Sequence, residues 1–223
     1  MSMSLPAGPT MCRAWMAANS WRRGSSRWGR CPNGYRRGFL PNWRSGSPNM
    51  PDAGIMLETE RLCLRPPERG DFEPMRQMFC DPLVVAHIGG SPLLRTEAWA
   101  RFQRDVGHWT LEGFGQFTVL ERASGRYVGK LGHARFLRDL GPLAETEIEM
   151  TWTLASGFHG LGYGSEAGRA AIAWFEGRGP RRTACVIAEA NLPSLGLARK
   201  LGYREVDRLA GEAGARIVLV RQG

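Results

Sequence analysis

Residues 146–176 read TEIEMTWTLASGFHGLGYGSEAGRAAIAWFE, and this stretch decides the fold. From Thr146 to Leu154 apolar and polar side chains alternate, which predicts a half-buried strand. Three alternate glycines follow, and from Ser165 to Glu176 apolar residues recur at helical spacing. A strand, a glycine loop and a helix in this order form an anion site. The reason is that the first N–H groups of the helix have no internal partner and the helix dipole places positive charge there.

The glycine loop limits which phosphorylated ligand can be expected. A nucleoside-triphosphate loop needs Lys followed by Ser or Thr after its last glycine, and this loop has Ser165-Glu166. A dinucleotide fingerprint has the spacing GxGxxG near the start of a fold, whereas these glycines are spaced GxGxG and come late. Glu189 nevertheless ends the next strand where a ribose-binding acid would stand. A tight turn without a ligand also fits the spacing, so the loop alone leaves the ligand open.

The sequence on either side predicts a mixed sheet flanked by helices. The further strands expected are Glu60–Pro66, Phe117–Glu121, Arg126–Phe136, Thr183–Glu189, Tyr203–Leu209 and Ala215–Arg221. The helices expected are 72–79 with Asp71 as N-cap, Thr96–Trp109, Ser165–Glu176 and 191–202. This order predicts an α/β fold whose sheet is antiparallel at first and parallel around residues 146–190.

Composition divides the chain into an N-terminal segment and a domain. Residues 1–55 hold eight Arg but one acid, Asp52, and show no regular apolar period, so we expect them to be disordered. They fit an RNA-binding arm, a transit peptide, or a segment without function that precedes a true start at Met50 or Met56. Most of the net charge of +9 lies there. Residues 56–223, the expected domain, are nearly neutral, so their own charge predicts no nucleic-acid partner.

Cysteine, histidine and hydropathy patterns exclude other classes of protein. The five cysteines form no CxxC pair and the four histidines show no HExxH spacing, so neither a disulfide framework nor a metal site is expected. Reduced cysteines, together with the lack of an apolar run of about 20 residues, predict a cytoplasmic protein without membrane spans. Cys63 and Cys185 fall in predicted strands, and we expect them to be core residues rather than nucleophiles.

The motif HGLGYGSEA at residues 159–167 resembles the acetyl-CoA pyrophosphate loop of GNAT-superfamily N-acetyltransferases, Q/R-x-x-G-x-G/A. It is most similar to the ribosomal-protein N-acetyltransferase (RimJ/RimL-like) branch, whose typical form is WGKGYATEA. EMTWTL at residues 149–154 resembles that branch's EIGYWL strand. NLPS at residues 191–194, followed by LGY at residues 201–203, resembles its N-x-x-S…KLGF segment.

The resemblance extends upstream and covers about residues 57–223. LETERLCLR at residues 57–65 is similar to the opening strand of the branch, and Val128-Gly129 to its third strand. Residues 1–55 have no counterpart. The likeness implies a GNAT-like mixed, mostly antiparallel central sheet flanked by helices. It also implies that acetyl-CoA binds as co-substrate at the glycine-rich strand–loop–helix unit.

The activity implied by the resemblance is transfer of an acetyl group to a primary amine by direct attack, without an acyl-enzyme. The acceptor would be a protein N-terminal α-amine or, alternatively, a small amine such as a polyamine, an antibiotic or an amino-acid derivative. At pH 7 an α-amine costs about 1 kcal/mol to deprotonate and a lysine about 4.6. A monomer or homodimer is expected. A CoA-binding domain without catalysis and a nucleic-acid-associated module acting through residues 1–55 remain alternatives.

The resemblance also suggests roles for particular residues. Glu149 is the candidate base and Glu147 the fallback on the same polar face, unless both are solvent-facing carboxylates. Ser194 would donate a hydrogen bond to the departing thiolate or bind the cofactor, unless it only caps a helix. Asn191 would orient backbone or pantetheine amides, unless it only forms a turn. The residues expected to contact acetyl-CoA are Trp152, Thr153, Leu154, His159, Gly160, Leu161, Gly162, Tyr163, Gly164, Ser165, Asn191 and Ser194.

The chain departs from the family pattern at three positions. His159 stands where the branch has Trp and other members have Arg or Gln, and Thr151 replaces a Gly. Ala198 stands where many members carry a Tyr that protonates the leaving thiolate. The resemblance therefore implies no tyrosine acid for this chain.

Overall fold

The computed structural model describes residues 55–211 and 214–223, so all but the last residue of the N-terminal segment lies outside the described residues. The strands are β1 Leu57–Glu58, β2 Leu62–Arg65, β3 Gln116–Glu121, β4 Tyr127–Arg135, β5 Ile148–Leu154, β6 Thr183–Ala188, β7 Arg204–Leu209 and β8 Arg216–Arg221. The helices are α1 Phe72–Cys80, α2 Pro82–Val85, α3 Arg95–Glu112, α4 Tyr163–Glu176 and α5 Leu192–Lys200. None of the helices in this part of the chain is long and apolar enough to cross a membrane.

The strands form one sheet in the order β1-β2-β3-β4-β5-β6-β8-β7. Neighbouring strands are antiparallel except β5 and β6, which run parallel. The predicted mixed sheet, antiparallel at first and parallel between the strand before the glycine loop and the strand after the helix, is therefore confirmed.

Helices cover both faces of this sheet. Because successive side chains of a strand point to opposite sides, a single strand contacts helices on both faces. Lys130 of β4 pairs with Asp105 of α3 on one face. His133 of the same strand stacks on Phe175 of α4 on the other face, with ring centroids 4.0 Å apart. Burial lowers the pKa of His133 to about 3, with a smaller contribution from Arg221, so the imidazole is neutral and packs as an aromatic ring.

Two predicted strands begin two residues later than the sequence pattern indicated. The first strand prediction began at Glu60, but β2 begins at Leu62, because Thr59 makes a turn in which its hydroxyl oxygen accepts from the Leu62 N–H at 3.0 Å. The strand expected from Thr146 begins at Ile148. The Thr146 hydroxyl accepts from the Ile148 N–H at 3.1 Å and donates to the carbonyl oxygen of Arg182, so this residue forms a turn.

Asp71 occupies the N-cap position of α1 as predicted, but its side chain does not cap the helix. Its carboxylate instead accepts two hydrogen bonds from the Arg65 guanidinium, at 2.7 and 2.8 Å. It also accepts from the backbone N–H of Glu68 and the hydroxyl of Thr118, each at 2.8 Å. Arg65 and Asp71 are 2% and 3% exposed, so this ion pair joins β2, β3 and the start of α1 inside the core.

Replacing Asp71 by Asn is expected to lower the free energy of unfolding by about 3–5 kcal/mol, because Arg65 loses the carboxylate that pairs with it inside the core, while its other partner, Glu68, lies 3.5 Å away and is 38% exposed. Urea unfolding of the full chain measures this loss. The matched control is Glu73→Gln, which removes an exposed carboxylate paired with Arg76 and Arg95 and is expected to leave the urea midpoint nearly unchanged. Equal small losses for both variants would contradict the structural role of the buried pair.

Candidate functional site

The cleft of this protein opens where β5 leaves β6. β5 pairs with β4 along its whole length, from Gly129–Leu154 to Arg135–Ile148. Within the described residues, β5 and β6 pair only at Glu149 and Ala184. Beyond that pair the strands separate, and residues 150–154 of β5 and 186–188 of β6 line the cleft between them. Backbone N–H and C=O groups on this edge of β5 can therefore bind an extended ligand as an added strand.

Gly129 keeps the end of β5 on β4. A Cβ at this position would lie 2.3 Å from the carbonyl oxygen of Thr153 and 2.8 Å from the Cα of Leu154, closer than side-chain carbons approach. A glycine here allows the two strands to stay in contact up to Leu154 while β5 turns away from β6. The Val128-Gly129 pair that resembles the family's third strand thus has a packing role next to the site.

The cleft has a volume of about 1400 Å³ and extends to both sides of β5. Pockets for one small ligand usually measure about 300–1,000 Å³, so this one has room for two substrates. One end, which we call the cofactor end, is lined by the glycine loop, β6 and α5. The other, which we call the acceptor end, is lined by α2, α3, β4 and residues 135–138.

Two glycines of the loop adopt backbone conformations that favour glycine. Gly160 and Gly162 have φ of +76° and +81°, and Gly162 is the N-cap of α4. The helix begins at Tyr163, two residues before the predicted start at Ser165. Gly164 is therefore helical, and its missing Cβ makes room for Leu197 of α5, whose Cδ2 would lie 2.9 Å away. The third glycine thus serves helix packing, while the first two shape the loop.

Arg61 and Glu166 tie this loop to the start of the sheet. The Arg61 guanidinium donates to the Leu161 carbonyl oxygen at 3.0 Å and to the Glu166 carboxylate at 2.7 Å, and it lies over the Tyr163 ring. Thr59 donates its hydroxyl to the same carboxylate at 2.5 Å. Burial would raise the pKa of Glu166, but the hydrogen bonds from Thr59 and Arg61 lower it overall. Arg61 and Glu166 are not among the site residues predicted from the sequence, although both lie within motifs that resemble the family.

The predicted cofactor residues come together at the cofactor end. All of them except Leu161 line the cleft: Trp152, Thr153, Leu154, His159, Gly160, Gly162, Tyr163, Gly164, Ser165, Asn191 and Ser194. The Tyr163 side chain is buried and donates its hydroxyl to Glu121 at 2.7 Å, so only its backbone is available to a ligand. The exposed His159 holds its Nε2 2.9 Å from the Leu154 carbonyl oxygen, which joins the loop to the end of β5.

Asn191, Ser194 and Trp152 form one hydrogen-bonded group. Asn191 is the N-cap of α5, and its side-chain oxygen accepts from the Ser194 N–H at 3.2 Å. The Trp152 indole N–H donates to the Ser194 hydroxyl oxygen at 3.2 Å. Asn191 therefore caps the helix, whereas Ser194, for which capping was the alternative, has a hydroxyl that still carries a hydrogen to donate.

The two candidate bases lie in different surroundings. Glu149 is fully buried, and both of its carboxylate oxygens accept from Arg138, one of them at 2.8 Å. Glu147 precedes β5, is 61% exposed and pairs with Arg135 at 2.9 Å. The prediction that these two residues share a polar strand face is therefore wrong, because the strand begins after Glu147. Arg138 lines the cleft and Glu149 does not, so the Arg138 guanidinium lies between the Glu149 carboxylate and the cleft.

Cys63 and Cys185 are buried, as expected for core residues. Burial raises the pKa of the Cys185 thiol well above its usual value, and the nearby Glu149 charge adds to this effect. A protonated thiol is a weak nucleophile. Within the described residues no group of three or more His, Cys, Asp or Glu side chains is arranged to hold a metal ion.

Comparison with known proteins gives one family. Residues 61–204 match the family described as acetyltransferase (GNAT) domain. A solved structure assigned to the GnaT acetyltransferase family, from Bordetella pertussis, is 31% identical, covers 75% of this chain and 99% of its own, and superposes with a TM-score of 0.68.

Two more distant solved structures share the fold. A protein from Vibrio cholerae assigned as a ribosomal-protein-serine acetyltransferase is 22% identical, with coverage of 78% of this chain and 99% of its own and a TM-score of 0.57. An aminoglycoside acetyltransferase in complex with coenzyme A is 16% identical, with coverage of 72% and 94% and a TM-score of 0.59.

Calorimetric titration of acetyl-CoA into the full chain tests the glycine loop. Gly162→Glu is expected to abolish binding, because it places a carboxylate where the cofactor's pyrophosphate meets the N-terminus of α4. Gly162→Ala is the matched control: it imposes about 1–2 kcal/mol of backbone strain without a charge and is expected to weaken binding less. Undiminished binding by a folded Gly162→Glu variant would rule out this loop as the pyrophosphate site.

Proposed function

We propose the function of this chain from one premise: the chain belongs to the GNAT acetyltransferase family. It is an N-acetyltransferase that uses acetyl-CoA as co-substrate. The acceptor that we propose is the α-amine at the N-terminus of a polypeptide. The observation that carries this proposal is the cleft, which runs from the glycine loop past the free edge of β5 to a second end lined by α2, α3 and β4.

At the cofactor end, backbone groups are available for three parts of acetyl-CoA: the pyrophosphate, the pantetheine amides and the thioester carbonyl. The pyrophosphate would accept hydrogen bonds from N–H groups of residues 161–165, and the pantetheine amides would pair with the edge of β5. A backbone N–H between Trp152 and Leu154 would polarise the thioester carbonyl, a type of contact typically worth about 3 kcal/mol in the transition state. This arrangement positions the thioester where the two ends of the cleft meet.

Ser194 is the group that we propose for the leaving thiolate. Its oxygen accepts from the Trp152 indole, which fixes the side chain and leaves the hydroxyl hydrogen to be donated. A hydrogen bond from this hydroxyl would stabilise the thiolate as the carbon–sulfur bond breaks. Ala198, in place of the family's tyrosine, provides no competing acid.

The similarity to the ribosomal-protein branch supports an α-amine acceptor. The motifs around the loop and the NLPS segment resemble that branch, and the structure from Vibrio cholerae assigned to ribosomal-protein-serine acetylation shares the fold. A neutral α-amine is also cheaper to generate at pH 7 than a neutral lysine, by roughly 3–4 kcal/mol. The amine attacks the thioester carbonyl directly, loses its proton, and leaves an acetamide and free CoA.

A peptide assay tests this acceptor. Acetyl-CoA and a peptide with a free N-terminus are expected to release CoA and to give a product acetylated at the α-amine, as located by fragmentation mass spectrometry. The matched control is the same peptide with a blocked N-terminus and an internal lysine, which is expected to remain unmodified. Acetylation of the lysine alone would overturn the proposed acceptor, and an acetylated enzyme in the absence of peptide would overturn direct attack.

Glu149 remains our candidate for the proton acceptor, acting through a water or after Arg138 has moved aside. Glu149→Gln is expected to lower kcat/KM by about 10²–10⁴-fold and to alter its pH profile, because a positioned base contributes rate enhancements of this size. Glu147→Gln is the control and is expected to retain the wild-type profile. If a folded Glu149→Gln variant keeps the wild-type rate and pH profile, Glu149 has a structural role only.

A further inference from the structure

The acceptor end of the cleft carries an excess of positive charge. The cations that line it are Arg101 and Arg104 of α3, Lys130 and Arg135 of β4, and Arg138. Among the described residues that line the whole cleft, none is Asp or Glu. A pocket built to hold a polycation would instead present carboxylates to it.

The carboxylates that partner these cations lie outside the cleft lining. The pairs are Lys130–Asp105, Arg138–Glu149 and the more exposed pairs of Arg135 with Glu147 and Glu112. Asp105 and Glu149 are 6% and 0% exposed, so each is buried behind its cation. A ligand in the cleft therefore contacts Arg135 and Arg138 and not their carboxylates, whereas Lys130, 6% exposed, is itself mostly covered.

Arg101 and Arg104 have the least compensation. In the described part of the chain no carboxylate lies within ion-pair distance of Arg101, whose guanidinium lies 4.7 Å from the centre of the Phe79 ring. Burial and then the neighbouring Arg104 lower the pKa of Arg101. Arg104 is 3.9 Å from Asp105, which already pairs with Lys130. Two adjacent cations with so little neutralisation favour an anionic ligand.

These cations lie apart from the site proposed for the cofactor phosphates. Lys200 of α5 and Arg216 of β8 line the cofactor end together with the glycine loop. The arginines of α3 lie on the face of the sheet that Lys130 shares, across β5 from that end. Their charge is thus available to the acceptor.

We infer that the acceptor carries a carboxylate close to its reacting amine. This inference rests on the proposed function, because it concerns the same cleft. Two sources supply this chemistry: acidic side chains in the first residues of a polypeptide, or the carboxylates of a free acidic amino acid. Polyamines and aminoglycosides carry only positive charge and would be repelled. The same field disfavours the protonated form of the acceptor amine, so the cations also help to supply the neutral nucleophile.

The test measures CoA release by the full chain with peptide acceptors that differ only in the charge of two residues. Three peptides of equal length begin with Ala, have amidated C-termini, and carry Asp-Glu, Asn-Gln or Lys-Arg at the next two positions. Free aspartate and spermidine are the small-molecule arms. The acidic peptide is expected to exceed the neutral one in kcat/KM by about fivefold, the upper range for exposed ion pairs, and the difference is expected to shrink at high salt.

Charge reversal provides the matched variants. Arg104→Glu is expected to remove or invert the preference for the acidic peptide. Arg169→Glu makes the same change on the exposed side of α4, outside the cleft lining, and is expected to leave the preference unchanged. Thermal unfolding of both variants establishes that they are folded.

The outcomes separate this inference from the proposed function. Turnover of the neutral or basic peptide as fast as the acidic one overturns the inference and leaves the peptide acceptor intact. Turnover of free aspartate but of no peptide supports the carboxylate requirement and overturns the peptide acceptor. Turnover of spermidine alone overturns both, as does an absence of turnover with every acceptor when acetyl-CoA still binds.

Discussion

The separation of β5 from β6 after Glu149 is the feature on which the site depends. β5 keeps its hydrogen bonds to β4 but not to β6, so its free edge exposes backbone groups that must bond to a ligand or to water. Gly129 allows this, because its missing Cβ lets β4 hold β5 as far as Leu154. Both ends of the cleft therefore share one wall, and a thioester bound on one side is accessible to an amine arriving from the other.

The electrostatics of the domain follow from the placement of a few carboxylates. The sequence of residues 56–223 is nearly neutral, yet Asp105 and Glu149 are buried behind cations that line the cleft. Burying a carboxylate is costly unless it is paired, so Lys130 and Arg138 compensate these acids. Of the two cations, Arg138 is 45% exposed and presents its charge to the cleft, whereas Lys130 is buried with its partner. Net charge thus conceals a local field that suits anionic substrates.

The sequence predicted the type and order of the longer elements and the position of the loop, because alternation and helical spacing are local signals. It did not predict β1 or α2, which are too short to show a period. It did not predict that Glu149 is buried. Alternation separates two faces of a strand, but in a sheet covered on both sides neither face is solvent. It also missed the contact of Arg61 with Glu166, since residues 105 positions apart meet only when β2 and α4 pack. Glu147 was wrongly predicted to lie in the strand, because the turn made by the Thr146 side chain delays the start of β5 to Ile148.

Two departures from the family pattern, Ala198 and His159, lie close to Ser194 and to the end of β5, respectively. Ala198 is buried in the core and has no hydroxyl, and Ser194, one turn earlier, is the residue of α5 that brings a hydroxyl into the cleft. A serine is a weaker acid than a tyrosine, so in the role proposed for it Ser194 donates a hydrogen bond and needs a fixed orientation. Trp152 supplies that orientation from the end of β5, and His159 holds the same strand end through the Leu154 carbonyl. The strand that would polarise the thioester is therefore also the element that aims the group for the leaving sulfur.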